Sequence, residues 1–504
     1  MTIIIRNKGV AMKLQETDIA DINARLKETV SQWLGKLVEP TSCILMKLVE
    51  KPGGVQLLNI EKELAKLFGA KLDHLAAEAV KEAAAVLDAS SLCSPSDSRL
   101  SANGRRHTPI QFMHGQTIRV ACRHFVLRKT KGRPRKSKRA KGTNEWPALD
   151  RLGIIADATP ALCELVSLAC LAEPYEAAVQ SLGQRGIDMS ITRTQRISRA
   201  LGKRSLELRD CRQPREMDAK EQQPVQGSWG DLSRTDIAIA IDGGRMNIRT
   251  SKAGRKPANK KRHGYHTDWR EPKLYTIYEV GENGHMKRGG LQMAGGTLKS
   301  PEHLMELLVE DLRRIGAATA RTIVFLGDGA PWIWGRVDAI AEAAGIPKEK
   351  CRRCLDYYHA VQHLVTFAEN AYFKDSCQRA RWINSMKQLM LKESADVVIA
   401  ALEEQRKAKR LSNERRSVCL RELNYFIKNK EGLTHAQCRK AGLPIGSGSI
   451  ESLVRRVINL RLKGAGMFWK QENAEAFIHM RCILKSRNWN NLCMQIWAQD
   501  RLCA

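Results

Sequence analysis

Two stretches limit most strongly what this chain can fold into. "AIAIDGG", 238–244, and "VFLGDGA", 324–330, each run apolar residues up to an aspartate and then break on glycine. Ile237, Ile239 and Ile241 alternate with alanines, so both faces of that run are apolar, as in a strand covered on both sides of a sheet. Asp242 and Asp328 then stand at strand ends where glycine leaves backbone room for a ligand. A lone aspartate at such a place is commonly a turn former or a helix cap; its repetition argues for a site.

Between and after these stretches the pattern continues in an α/β order. "KLYTIYEV", 273–280, reads as a strand and "SPEHLMELLVEDLRRIGA", 300–317, as an amphipathic helix. "WGRVDAIAEAAG" is a second helix, and "KCRRCLDYYHAVQHL" passes from a short strand into a third. From about Leu364 to Lys440 strand signals vanish and the period is helical throughout, which reads as an all-α insertion. "PIGSGSIESLVRRVINLRLKGAGMFW", 444–469, then starts on a Gly-Ser loop, with Ser449 expected as helix N-cap and Glu451 in the first turn, where a carboxylate favours the positive helix end. Asp242, Asp328 and Glu451, brought together at the sheet edge, would suit two divalent ions roughly 4 Å apart. Hard oxygen donors favour magnesium or manganese.

The N-terminal half points to the partner. Lys and Arg number 84 against 54 Asp and Glu, a net charge of +30, which favours a polyanion, with nucleic acid the leading choice. The absence of an 18-residue apolar run and the early charges of "MTIIIRNKGV" speak against a membrane and for a cytoplasmic protein. Scattered cysteines fit a reducing compartment. Helical patterns fill 15–90, and "TIRVACRHFVL" then predicts a short β-hairpin. In Arg128–Lys141 nine of fourteen residues are basic, and "KGRPRK" within it resembles an AT-hook, placing Arg133, Arg135 and Lys136 in a minor groove or on phosphates. "PYEAAVQSLGQRGIDMSITRTQRISRALGKR" reads as a helix-turn-helix, or as a helical hairpin that only packs. In the first reading Arg193, Gln195, Arg196 and Arg199 face DNA.

Zinc has two candidate sets. One is Cys93 and Cys122 with His107 or His124, which read equally as ordinary buried thiols. The other is Cys351, Cys354, His359 and His363, in which a strand would send the two cysteines to different faces. Trp332, Trp334 and Trp469 are candidates for stacking on a displaced base, although indoles are more often core. Arg455, Arg456, Arg461 and Lys463, after Glu451, would hold phosphates or solvate their face.

"AIDGGR", "FLGDGAPWIW", "LDYYHAVQHL" and "GSGSIESLVRRVINLRLKGAGMFW" together resemble the DDE transposases of bacterial insertion sequences, in the broad group related to Mutator-like elements. The similarity spans roughly 237–487. It implies a ribonuclease H-like mixed sheet with an all-α insertion, preceded by an α-rich DNA-binding region with a short β-hairpin. It implies Asp242, Asp328 and Glu451 as catalytic and metal-binding triad, with Asp356 and His359 supporting the site through the "DYYH" pattern. Trp269 and Glu271 match the pattern leading into the next strand, without a catalytic role for Glu271. The expected partners are terminal inverted repeats and target DNA, bound by a homodimer or higher oligomer. The expected division is a helical region 1–90, hairpin and basic arm 91–145, helix-turn-helix-like region 146–230, first part of the catalytic core 231–363, insertion 364–443, and last part with C-terminal helices 444–504. Two alternatives are a repressor without catalysis and a ribonuclease H-like nuclease that cuts without joining.

Overall fold

The computed structural model describes residues 4–7, 10–13, 16–50, 54–89, 95, 100–127, 144–217, 231–252, 264–372, 375–408 and 411–498. The chain divides into two compact units, 1–201 with 493–504, and 202–492. Both limits between the units fall within helices, at 201/202 and 492/493, and 493–504 group with the first unit.

The first unit opens with a two-stranded pair, β1 (Ile4–Asn7) and β2 (Val10–Lys13), followed by helices α1 (Glu16–Gly35), α2 (Val38–Glu50) and the long α3 (Gly54–Ala89). Next comes a three-stranded antiparallel sheet, β3 (Leu100–Gln111), β4 (Thr117–Leu127) and β5 (Asn144–Glu145). The expected hairpin is present but longer than predicted, because a bulge at Gly104, φ 71°, shifts the register by one between Ala102 and Arg105 and lets pairing continue beyond it. Two buried aspartates of α3 satisfy the hairpin's backbone: Asp73 accepts from the N–H groups of His114 and Gln116, and Asp88 from that of Arg123. Four helices complete this part of the chain: α4 (Pro147–Arg151), α5 (Pro160–Ala172), α6 (Tyr175–Gly183) and α7 (Ile191–Met217). The helix, turn and helix expected from "PYEAAVQSLGQRG…" are present, with Gly186 at φ 77° in the turn.

The second unit is built on a five-stranded mixed sheet. Its strands are β6 (Asp236–Gly243), β9 (Lys273–Glu279), β10 (Gln292–Thr297), β11 (Thr322–Gly327) and β12 (Cys351–Leu355), in the order β10-β9-β6-β11-β12. The pairs β10–β9 and β9–β6 are antiparallel, whereas β6–β11 and β11–β12 are parallel. Central β6 and β11 are apolar on both faces because both are covered; Ile237, Ile239, Ile241, Ile323, Val324, Phe325 and Leu326 are all buried. Between β6 and β9 lies a separate hairpin, β7 (Met246–Ser251) with β8 (Tyr265–Arg270).

Helix α8 (Pro301–Arg314) covers one face of this sheet. Ser300 caps it by accepting from the His303 N–H, Pro301 suits the first turn, and Leu304, Leu308 and Leu312 recur every fourth residue along its buried stripe. Two short helices, α9 (Pro331–Trp334) and α10 (Val337–Ala343), cross from β11 to β12. After β12, helices α11 (Tyr357–Ala371), α12 (Ser376–Lys392), α13 (Ala395–Ala408), α14 (Asn413–Lys428) and α15 (His435–Lys440) form the all-α insertion. They have their own core around Leu364, Phe367, Met386, Leu402, Leu423 and Phe426. Then follow α16 (Gly448–Val454), a π-helical turn at Arg455–Asn459, α17 (Gln471–Lys485) and α18 (Trp489–Ala498). Among the described residues no helix is long and apolar enough to cross a membrane.

Candidate active site

The sheet's strand pairing places the two aspartates. In the parallel pair β6–β11, Asp236 lies beside Thr322 and Ala240 beside Leu326, a constant offset of 86 residues. Two residues beyond that last pair come Asp242, still within β6, and Asp328, one residue past the end of β11, so both stand at the same end of neighbouring strands, which run about 4.8 Å apart. On its other side Asp242 pairs with Leu274 of β9.

The glycines after each aspartate have definite work. A Cβ on Gly243 would come within 2.4 Å of the Glu271 carboxylate, so the missing side chain lets Glu271 lie against the end of β6. Gly329 sits at φ 96°, a left-handed conformation suited to glycine, and lets the Ala330 N–H donate to Asp328 Oδ1 at 2.9 Å. Asp242 Oδ1 accepts from the Gly243 N–H at 2.6 Å.

Burial pushes the Asp242 carboxyl up to about 6; the Gly243 N–H opposes this, and the charges of Asp328, Glu451 and Glu271 add to it. This charge coupling joins the third acid to the other two. Glu451 is exposed in the first turn of α16, which packs across β6 and β9. The expected N-cap is displaced by two residues: Ser447 occupies it, and Ser449 lies inside the helix with its hydroxyl buried. The Gly-Ser loop enters the helix one half-turn earlier because its path is fixed from outside.

That fixing is the role the structure gives Asp356. Its side chain is buried at the N-terminus of α11, accepts from the His359 N–H at 2.6 Å, and also accepts from the Ser447 N–H. The Tyr357 N–H donates to the Ile445 carbonyl at 2.9 Å. Asp356 therefore ties the end of β12 to the loop that delivers Glu451. Asp356→Ala is expected to leave two backbone donors without an acceptor, costing about 2 kcal/mol. Faster hydrogen exchange at 445–448 in that variant would show the loop released; unchanged exchange would remove Asp356 from this role.

The helical insertion also supports the site, which the sequence did not signal. The Tyr425 hydroxyl on α14 donates to the Asp328 carbonyl at 2.9 Å, and the Asn429 amide packs against Gly329. Burial, then the charges of Asp328, Asp356 and Glu422, push the Tyr425 phenol above its ordinary range. His363 stacks on Tyr425 at 3.6 Å between centroids, and its Nδ1 is paired with buried Glu422. His359 meets His363 edge to face, and so lies beside this supporting group.

Several expected site residues are engaged elsewhere. Arg455, Arg456 and Lys463 are exposed, but Arg461 is buried with its guanidinium over the packed rings of Trp469 and Phe477, because a long cation with an apolar stem can be enclosed against aromatic faces. Trp469 is itself buried, its indole N–H donating to the Leu462 carbonyl. Trp334 is half-buried against both the sheet core and the insertion core, and half-buried Trp332 packs on the sheet core. Arg193 is half-buried, donating to Gln111 Oε1 and the Asp157 carbonyl, Arg196 pairs with Asp157, and Arg199 donates to Gln195. Arg193 and Arg196 thus hold the turn in which Ala156 and Asp157 have positive φ, instead of forming a free basic face.

Among the described residues the zinc candidates lie in differing surroundings. Cys122 is buried and its thiol is pushed up to about 12 by burial, then by Asp88, while His107 is exposed and His124 stacks on Trp146. Cys351 packs against the sheet core, whereas Cys354 is buried with Cys438 as its close neighbour. Cys93, Arg133, Arg135 and Lys136 lie outside the described residues. Among the described residues no three His, Cys, Asp or Glu close into a ready-made ligand set. The acids around Asp242 nevertheless fit hard divalent ions: all donors are carboxylate oxygens, and the Asp242 carboxyl is pushed up first by burial and then by the charges of its neighbours, a penalty that a bound cation relieves. Set beside models of protein families, curated proteins and solved structures, the chain has no match in any of the three comparisons.

Proposed function

We propose that the chain is a DDE-type DNA transposase with a ribonuclease H-like catalytic core, which cuts at transposon ends and joins the 3′-hydroxyl to target DNA. The observation that carries this reading is the placing of Asp242 at the end of β6 and Asp328 just past the end of the neighbouring parallel strand β11, with the charges of Asp328 and Glu451 acting on Asp242. The strand order, three antiparallel strands followed by two parallel additions, and the helical insertion ahead of Glu451 support it.

Phosphodiester exchange needs an oxygen nucleophile and a leaving oxygen held in line. Asp242, Asp328 and Glu451 would hold two magnesium or manganese ions, which when bound supply charge stabilisation at both oxygens. The chain's own part is placement. Tyr425 and the Ala330 N–H fix Asp328, Asp356 fixes the loop before Glu451, and exposed Arg455 and Arg456 offer phosphate contacts in the turn that follows.

The test is a supercoiled plasmid carrying candidate terminal repeats, incubated with protein and magnesium. Joined products are expected. Cleavage alone would make the protein a nuclease, and protection alone a repressor. Asp328→Asn is expected to abolish joining while DNA binding survives; unchanged joining would overturn the site.

A further inference from the structure

Two exposed aromatic side chains lie on one strand, outside the expected stacking candidates. Trp269 on β8 is 49% exposed and Tyr265, four residues earlier, is 44% exposed. All six residues of β8 are exposed, because it is the outer strand of a two-stranded sheet. Strand pairing sets Asn247 opposite Trp269 and Ser251 opposite Tyr265, so Arg245 and Arg249 share the face of the two aromatics. The contacts agree. Arg245 lies over the Trp269 ring at 4.8 Å and Arg249 over the Tyr265 ring at 5.7 Å. Lys463 approaches Trp269 from a second element, at 6.0 Å. Asp268, next to Trp269, alternates to the opposite face.

This face is firmly held. Met246 and Ile248 of β7 are buried, the Arg249 N–H donates to the Trp469 carbonyl at 2.8 Å, and the Trp469 N–H donates to the Asn247 carbonyl at 3.1 Å. It is also close to the acids, since Trp269 precedes by two residues the Glu271 whose carboxylate lies against Gly243. Half-exposed rings, each with a guanidinium over it and no acid on the same face of the hairpin, match the chemistry of unpaired bases on a phosphate backbone.

We propose that the Trp269–Tyr265 face of the β7–β8 hairpin is a stacking platform for single-stranded DNA, with Trp269 receiving an unpaired base beside the acids. This rests on the reading of the chain as a DNA-processing enzyme. Arg245, Arg249 and Lys463 neutralise the backbone on either side of the stacked base.

The test uses the full-length protein without magnesium and a single-stranded oligonucleotide carrying one 2-aminopurine, whose fluorescence falls on stacking. The wild type is expected to quench it. Trp269→Ala is expected to lose most of the quenching and bind about tenfold more weakly, with unchanged thermal unfolding, whereas Trp269→Phe retains part of both. Duplex affinity is expected to change little. Equal quenching and affinity in Trp269→Ala and wild type, or no quenching by wild type, would overturn the platform. If quenching depends on Trp269 while the wild type neither cuts nor joins the plasmid, the platform stands and the transposase reading falls. If the wild type joins DNA without quenching, the platform alone falls.

Discussion

The Asp242→Asn protein is expected to be more stable than the wild type when divalent ions are absent, by about 2 kcal/mol near neutral pH. The carboxyl stands at about 6 in the fold against an ordinary 3.8, burial being the first cause and the neighbouring acids adding to it. That difference is worth about 3 kcal/mol between the two protonation states, and partial exposure to solvent reduces it to about 2 kcal/mol. The direction follows from proton linkage. Below about pH 4 the group is protonated in both states and contributes nothing. Between about 4 and 6 the unfolded chain releases its proton first, so the fold loses stability as pH rises; above about 6 the full loss remains. Asparagine removes the charge and with it this pH slope. Thermal unfolding across that range, in chelator, checks the prediction. Magnesium should raise the unfolding temperature of the wild type, because binding to the folded state adds stability, and should raise that of Asp242→Asn far less. The same variant should be inactive in the plasmid assay. An Asp242→Asn protein no more stable than wild type in chelator would mean that burial and the neighbouring acids do not penalise the Asp242 charge in the fold.

The second large effect lies away from the acids. Glu475 on α17 is buried and receives three partners: the Arg209 guanidinium at 2.8 Å, the Thr297 hydroxyl at 2.8 Å and the Leu298 N–H at 2.6 Å. It thereby joins α7, the end of β10 and α17. Glu475→Ala is expected to cost about 3–5 kcal/mol, because it leaves a buried guanidinium and a buried hydroxyl without their acceptor. Arg209 keeps its contact with Asp210, which places the cost toward the lower end. An exposed pair such as Arg25–Glu82 gives the contrast: Glu82→Ala should cost less than about 1 kcal/mol. Chemical denaturation followed by a probe in 202–492 measures both. A loss below about 1 kcal/mol in Glu475→Ala would show that packing, and not this network, holds β10 to α17.

The contrast between these residues explains what the sequence made legible. β6 and β11 were readable because covered strands are apolar on both faces and their aspartates interrupt that run abruptly. β10 was not. Its "QMAGGT" has no apolar run, and Gly295 is there because any side chain would strike the Tyr275 ring, which sits fully buried under α8 with its hydroxyl on Asp311. A glycine selected for a neighbour's bulk looks in sequence like a loop. Tyr425 and Glu422 were hidden for a related reason: helical period shows which face of α14 is apolar, but not that its polar positions reach the carbonyl of Asp328. Arg193 and Arg461 misled because charge in a sequence does not show whether a guanidinium meets solvent, a carbonyl or an indole. For the tryptophans core packing stood open beside stacking, and Trp332, Trp334 and Trp469 all pack on cores. Trp469 is enclosed, while Trp269 stands outward because β8 has no further strand beside it.

That Asp242 and Asp328 stand at the same end of the paired strands β6 and β11 bears on how such a protein can change over time. Hairpin, helix and connecting turns between the two aspartates can lengthen, shrink or be replaced wholesale, and the acids keep their mutual station so long as β6 and β11 stay zipped in step. A slip of a single residue between those two strands would instead turn one carboxylate to the far side of the sheet. Tolerance for insertion and intolerance for misalignment thus coexist in the same stretch of chain.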